Sequence, residues 1–249
     1  MTKRATVLAG TFAMAVALFP TATPATPPTP PFSHLGSGSD EVWILRPPGK
    51  ITSIIVFGHG WSTPFPSGFG AWVRHLRERG NLVVYPRYRT NAYESTASAL
   101  TAFRHGVSAA LRNIGPIRVP VVAVGKSFGG SAVFYYAAEA TDWGVRAPAA
   151  VLSIFPALPI GALPARPLPA RTYVQILVGD RDTTAGTAGA NAFWRWLGPH
   201  PSDRKLYLVI HSRPGFVANH DSPQKADPIT RSIFWARLDR LIARVRHIT

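Results

Sequence analysis

The chain of 249 residues contains no cysteine. Thiol nucleophiles, cysteine-ligated zinc, lipid attachment through cysteine and disulfides are all excluded, so stability must come from the core. Acidic residues are scarce, 12 against 27 basic, for a formal net charge of +15. Lysine is scarce among the basic residues, five of the 27, so arginine carries most of the positive charge. The sequence has no His-Glu-x-x-His pair, no other metal-ligand spacing and no dinucleotide fingerprint, so neither a metal nor a cofactor is expected. The run Ala5–Phe19 is apolar but only 15 residues long, short of the roughly 20 needed to cross a bilayer.

That run follows Lys3 and Arg4, is broken by Pro20 and leads to the small-residue stretch Thr23-Pro24-Ala25. This is the pattern of a secretory signal peptide over residues 1–25. Residues 26–40 are rich in Pro, Ser and Gly and read as an extended linker, with a single domain over 41–249. A secreted or cell-envelope location is expected, with no stable membrane span after cleavage and a net charge near +13. No nucleic-acid motif accompanies this charge and the arginines are spread over several elements. Attraction to an anionic envelope surface is therefore expected, and nucleic acid is not expected as a partner.

From residue 41 onward, apolar strands alternate with amphipathic helices. Strands are expected at Val42–Leu45, Ile51–Phe57, Leu82–Tyr85, Val119–Val124, Ala149–Ile154, Tyr173–Val178 and Lys205–Ile210. Helices are expected at Phe69–Arg79, Glu94–Asn113, Ala188–Leu197 and Asp227–His247, the last with an apolar stripe of Phe234, Leu238, Leu241, Val245 and Ile248. Continuous apolar strands joined through helices imply an α/β fold with a mostly parallel central sheet, covered on both faces. Such sheets carry their chemistry at the carboxyl ends of the strands.

One such end is Gly125-Lys126-Ser127-Phe128-Gly129, between the strand Val119–Val124 and a helical run from Gly130 to Ala138. Strand, tight Gly-x-Ser-x-Gly turn and helix form the pattern of a nucleophile elbow, with Ser127 at its apex. Serine needs a base, and the base needs an orienting acid. Both follow in order beyond later strands, as Gly179-Asp180-Arg181-Asp182 and then a loop holding His211 and His220.

With His59-Gly60 after an early strand, these pieces resemble the α/β-hydrolase fold family of serine esterases and lipases, over roughly residues 41–249. The loops Leu177–Asp182 and Ala218–Pro223 are more narrowly similar to those of secreted cutinase-like polyester hydrolases. The resemblance implies Asp182 as the acid, with Asp180 the alternative, and His220 as the base, with His211 the alternative. It implies an oxyanion hole from the backbone N–H groups of Phe128 and Trp61, with His59 bracing the turn rather than acting as a base. Trp61 and Phe65 are read as substrate-binding residues, and Phe69 and Trp72 as core. Lys126 departs from the resemblance, since many relatives carry histidine or another residue there. Phe155–Ala170 holds five prolines and is too short for a large helical lid. The implied activity is hydrolysis of small or polymeric carboxylic esters. An acyltransferase using the same triad and a non-catalytic binding module are the alternatives.

Overall fold

The computed structural model describes residues 32–91 and 93–247; the expected signal peptide, residues 26–31 and Ile248 lie outside them. Eight strands form one sheet: β1 (Phe32–Leu35), β2 (Val42–Leu45), β3 (Ser53–Gly58), β4 (Asn81–Pro86), β5 (Val121–Lys126), β6 (Ala150–Ile154), β7 (Tyr173–Gly179) and β8 (Lys205–Ile210). Their order is β1-β2-β4-β3-β5-β6-β7-β8. The strands from β3 to β8 are mutually parallel; β2 alone runs against them, antiparallel to both β1 and β4. The helices are α1 (Gly70–Glu78), α2 (Thr96–Ile114), α3 (Phe128–Glu139), α4 (Ala188–Trp196), the short α5 (Pro228–Thr230) and α6 (Ala236–Arg246).

The domain starts earlier than the sequence suggested. Residues 32–40, read as linker, supply β1 and a 3-10 turn at Gly38–Asp40. β1 pairs with β2 over four residues, from Phe32 against Leu45 to Leu35 against Val42. A four-residue strand gains its stability from a partner, which local composition does not reveal. The closing helix differs as well. Asp227 caps it through Oδ1, which accepts from the N–H groups of Ile229 and Thr230 at 3.0 and 2.9 Å. One π turn, Arg231–Trp235, then separates α5 from α6.

Alternation along the buried strands divides the core in two. Ile54 and Val56 point to the face covered by α2 and α3, with Phe103, Val107, Val133 and Phe134. Ile55 and Phe57 point to the face covered by α1 and α6, with Phe69, Trp72, Leu238 and Leu241. β3, β4 and β5 are buried along their whole length, which is why they read as continuous apolar runs. Phe69 and Trp72 lie in this core, and the Trp72 ring stacks on Trp235 at 6.0 Å.

Central to the fold is the closeness of α3 to β3 and β5. A Cβ on Gly129 would lie 2.2 Å from the Gly58 carbonyl oxygen, and one on Gly125 would lie 2.1 Å from that of Gly129. Neither obstacle is a movable side chain. Gly129→Ala is therefore expected to destabilise the protein by about 1–3 kcal/mol, read as a lowered urea midpoint with an unchanged slope; a midpoint equal to the parent's would contradict this packing.

Candidate active site

Ser127 sits between the last residue of β5 and the first of α3, at φ 58° and ψ −123°. A positive φ is costly for a side chain with a Cβ, on the order of 1–3 kcal/mol, and persists only where surrounding contacts enforce it. The Ser127 N–H donates to the Ile154 carbonyl at 3.0 Å, and its own carbonyl accepts from Ser131 and Ala157 at 3.2 and 3.1 Å. The Gly129 N–H donates to the His59 carbonyl at 3.0 Å, which ties the elbow to the turn after β3.

His220 reaches the same place from the loop after β8. Its Nε2 is 3.0 Å from Ser127 Oγ, and its Nδ1 is 2.9 Å from Asp182 Oδ2. The other Asp182 oxygen accepts from the N–H groups of Thr184 and Ala185 at 2.9 and 3.0 Å. Burial raises the Asp182 pKa, but the hydrogen bonds from His220, Ala185 and Thr184 outweigh it and hold the carboxyl below its ordinary value. A buried carboxylate, an imidazole bonded to it and a serine hydroxyl on the far ring nitrogen thus form one hydrogen-bonded line.

Asp180 and His211 lie apart from this line. The Asp180 carboxylate accepts from the Ser212 hydroxyl at 2.6 Å and the Ser212 N–H at 2.9 Å, bonds that hold its pKa low. His211 is exposed, 3.5 Å from the same carboxylate. The Ser212 hydroxyl in turn accepts from the Ala218 N–H at 3.0 Å, and the Arg181 N–H donates to the Ala218 carbonyl at 3.2 Å. Asp180 thus ties down the loop that delivers His220, two residues beyond Ala218.

The turn after β3 is held from below. His59 is fully buried, with Nδ1 2.6 Å from the Gly60 carbonyl and Nε2 3.2 Å from that of Arg87. Its ring stacks on Tyr88 at 3.8 Å, and the Tyr88 hydroxyl donates to the His59 carbonyl. The Trp61 and Phe128 rings meet at 5.0 Å, and neither backbone N–H donates a hydrogen bond among the described residues. The Phe128 N–H follows Ser127 directly in the chain, and Trp61 is brought to it by this ring contact. Phe65 is exposed, packed on Trp43 at 5.7 Å with the Arg87 guanidinium 4.6 Å from its ring.

Two further residues shape the site, Arg89 and Lys126. Arg89, buried, donates to the Trp61 and Asn91 carbonyls and stacks over the Trp61 indole at 3.8 Å. It lies 28 positions from Trp61, beyond the reach of any local motif. Lys126 was visible as an unusual neighbour of Ser127, but not its direction. Its side chain is buried beneath the Gly60 turn, with Nζ 3.8 Å from Asp221 Oδ1. Burial lowers its pKa, while the charges of Asp221 and Asp182 oppose that shift. Phe155–Ala170 forms no helix or strand and is strapped to α3 by the Tyr135 hydroxyl, which donates to the Ala162 carbonyl at 2.7 Å. No group of three His, Cys, Asp or Glu residues suited to a metal ion occurs among the described residues.

The parallel sheet, its helices and this strand-turn-helix define an α/β-hydrolase fold, and solved structures bear this out. Esterase 2 of Thermogutta terrifontis, phosphoramylated by tabun, superposes with a TM-score of 0.66 at 15% identity, over 88% of this chain and 97% of that one. Esterase B of Lactobacillus rhamnosis gives 0.62 at 13% identity, over 86% of each chain. A putative dienelactone hydrolase from Klebsiella pneumoniae gives 0.58 at 16%, over 82% and 92%. These likenesses do not carry the narrower cutinase-like resemblance. No family model and no curated protein matches the sequence.

Burial pushes the His59 pKa from 6.5 down to about 4, despite hydrogen bonds to Gly60 and Arg87 that raise it. Between these pH values the unfolded chain binds the proton that the folded one refuses, so stability falls as pH drops through this window and is level above it. Across the same window, from pH 6.5 down to about 4, the parent is expected to lose about 3 kcal/mol more than His59→Gln. Denaturant unfolding at each pH measures the difference; parallel pH profiles would refute it.

Proposed function

We propose that this protein is a serine hydrolase of carboxylic esters. The observation that carries the reading is the continuous line from Asp182 through His220 to Ser127 Oγ, at 2.9 and 3.0 Å. Esterases of the same fold support it, one of them phosphoramylated by tabun and another inhibited by a tributyrin phosphonate.

In the proposed mechanism Ser127 Oγ attacks the ester carbonyl while His220 Nε2 takes its proton. Asp182 keeps the imidazole in the tautomer with the proton on Nδ1 and stabilises the imidazolium. The Phe128 and Trp61 N–H groups receive the oxyanion, each such donor contributing about 2.7–4 kcal/mol in the transition state. His220 then gives its proton to the departing alcohol, leaving an acyl-Ser127. A water, deprotonated by His220, releases the acid by the same steps. Trp61 and Phe65 are proposed to meet the acyl or aromatic part of a small or polymeric ester. The basic, apolar start of the sequence supports, in the same proposal, an activity outside the cytoplasm.

A fluorophosphonate probe is expected to label the parent at Ser127 and not Ser127→Ala, whose turnover of p-nitrophenyl esters should fall by about 10⁶. Unlabelled, folded parent protein without turnover would reject the proposal. The two aspartates separate by magnitude. Asp182→Asn should lose about 10⁴ in kcat, while Asp180→Asn, acting through loop order, should lose less than about 10²; the reverse ranking would transfer the acid's role to Asp180.

A further inference from the structure

The arginines that look dispersed along the sequence converge at one edge of the fold. Because β3 to β8 are parallel, their amino ends share the edge opposite Ser127. A basic residue stands at or just before each entry: Lys50 ahead of β3, Arg79 of β4, Arg118 of β5, Arg146 of β6, Arg171 of β7 and Arg204 of β8. In sheet order these six span five strand spacings, roughly 24 Å.

Contacts confirm that they are neighbours. Arg146 donates to the Val119 carbonyl, next to Arg118, at 3.2 Å, and Arg204 donates to the Arg171 carbonyl at 3.2 Å. The Thr52 hydroxyl, close to Lys50, donates to the Gly80 carbonyl beside Arg79 at 3.0 Å. Helix carboxyl ends also reach this edge and account for Arg77, Arg112 and Arg246 as partners of helix dipoles. That explanation does not cover Lys50, Arg118 and Arg171. They stand exposed in loops, and their side chains have no hydrogen-bonded or ionic partner among the described residues. The carboxylates here are few and mostly engaged: Asp142 is held by Arg166 at 3.0 Å, Asp203 lies 3.9 Å from Arg204, Asp239 lies 3.5 Å from Arg79, and Glu78 and Glu139 end α1 and α3. At the opposite edge Arg181, Arg213 and Lys225 are balanced by Asp180, Asp221 and Asp227.

We propose that this basic edge docks on a bilayer surface of anionic phospholipid and holds the Ser127 edge away from it. A row of separate cations on loop tips suits a laterally mobile field of anionic headgroups, where each cation adds its own increment. It suits nucleic acid less well. Tyr173, the aromatic ring among these residues, is half-buried and covered by Arg204 and Arg244 at 4.6 and 4.5 Å, so it offers no face to a base. The helix ends here are carboxyl ends, which present carbonyls rather than N–H groups to phosphate.

Co-sedimentation of the full chain with vesicles tests this, using phosphatidylglycerol mixed with phosphatidylcholine against phosphatidylcholine alone. Binding is expected on the anionic vesicles and should be lost at molar salt, where the screening length falls to about 3 Å. The triple variant Lys50→Gln, Arg118→Gln, Arg171→Gln should bind them on the order of a hundredfold more weakly, about fivefold for each cation. Arg181→Gln with Arg213→Gln, at the other edge, should bind as the parent does. Because every variant keeps the apolar amino-terminal run, insertion of that run would appear equally in all of them. Thermal midpoints check that each is folded. Equal binding by parent and triple variant, equal binding to neutral vesicles, or tighter binding to duplex DNA than to anionic vesicles would each overturn the proposal. None of these outcomes depends on the hydrolase reading, which rests on Ser127 labelling.

Discussion

The approach of α3 to the strands beneath it is the constraint on which the rest depends. With only hydrogen atoms on Gly125 and Gly129, backbone meets backbone at the crossing of β5, β3 and α3. The chain can then turn from strand to helix within one residue, and that residue, Ser127, takes a positive φ. The same closeness places the Gly129 N–H on the His59 carbonyl, so the elbow and the neighbouring turn hold one another. Strain at Ser127 is sustained because the hydrogen bonds of its own N–H and carbonyl leave it no relaxed alternative.

Around this crossing, neighbouring polar groups divide their roles by environment. Asp180 and Asp182 are two residues apart, yet one faces solvent and ties down a loop while the other is buried against an imidazole. The cause is the turn past the end of β7, where the Asp182 N–H donates to the Gly179 carbonyl at 3.2 Å and the reversing chain sends the two side chains to different surroundings. His59 and Lys126 are both buried bases near the serine, and desolvation lowers the pKa of each. For His59 it wins far enough to keep the ring neutral at ordinary pH. Lys126 has the carboxylates of Asp221 and Asp182 to offset part of its burial.

Much of the fold was legible because its signals are local. Full burial of β3, β4 and β5 shows as unbroken β-branched runs, and the stripe of Phe234, Leu238, Leu241 and Val245 shows as helical spacing. β1 was missed, since four residues in a proline-rich stretch become a strand only through pairing with β2. Arg89 was missed because its partner Trp61 is 28 positions away. The convergence of the basic residues was missed for a related reason. Spacing in sequence does not show that the residues preceding six strands meet at one edge.

By itself, then, the sequence determined the alternation of strands and helices, the tight turn bearing Ser127, and the chain order of serine, carboxylate and histidine. Each of these follows from residues within a few positions of one another, where apolar periodicity and glycine placement act directly. Tertiary structure alone decided which of two aspartates and which of two histidines stand in line with Ser127, where Lys126 points, and which cations share a surface. Those outcomes depend on how parallel strands bring distant loops to a common edge, and on burial, which sets what each polar group meets.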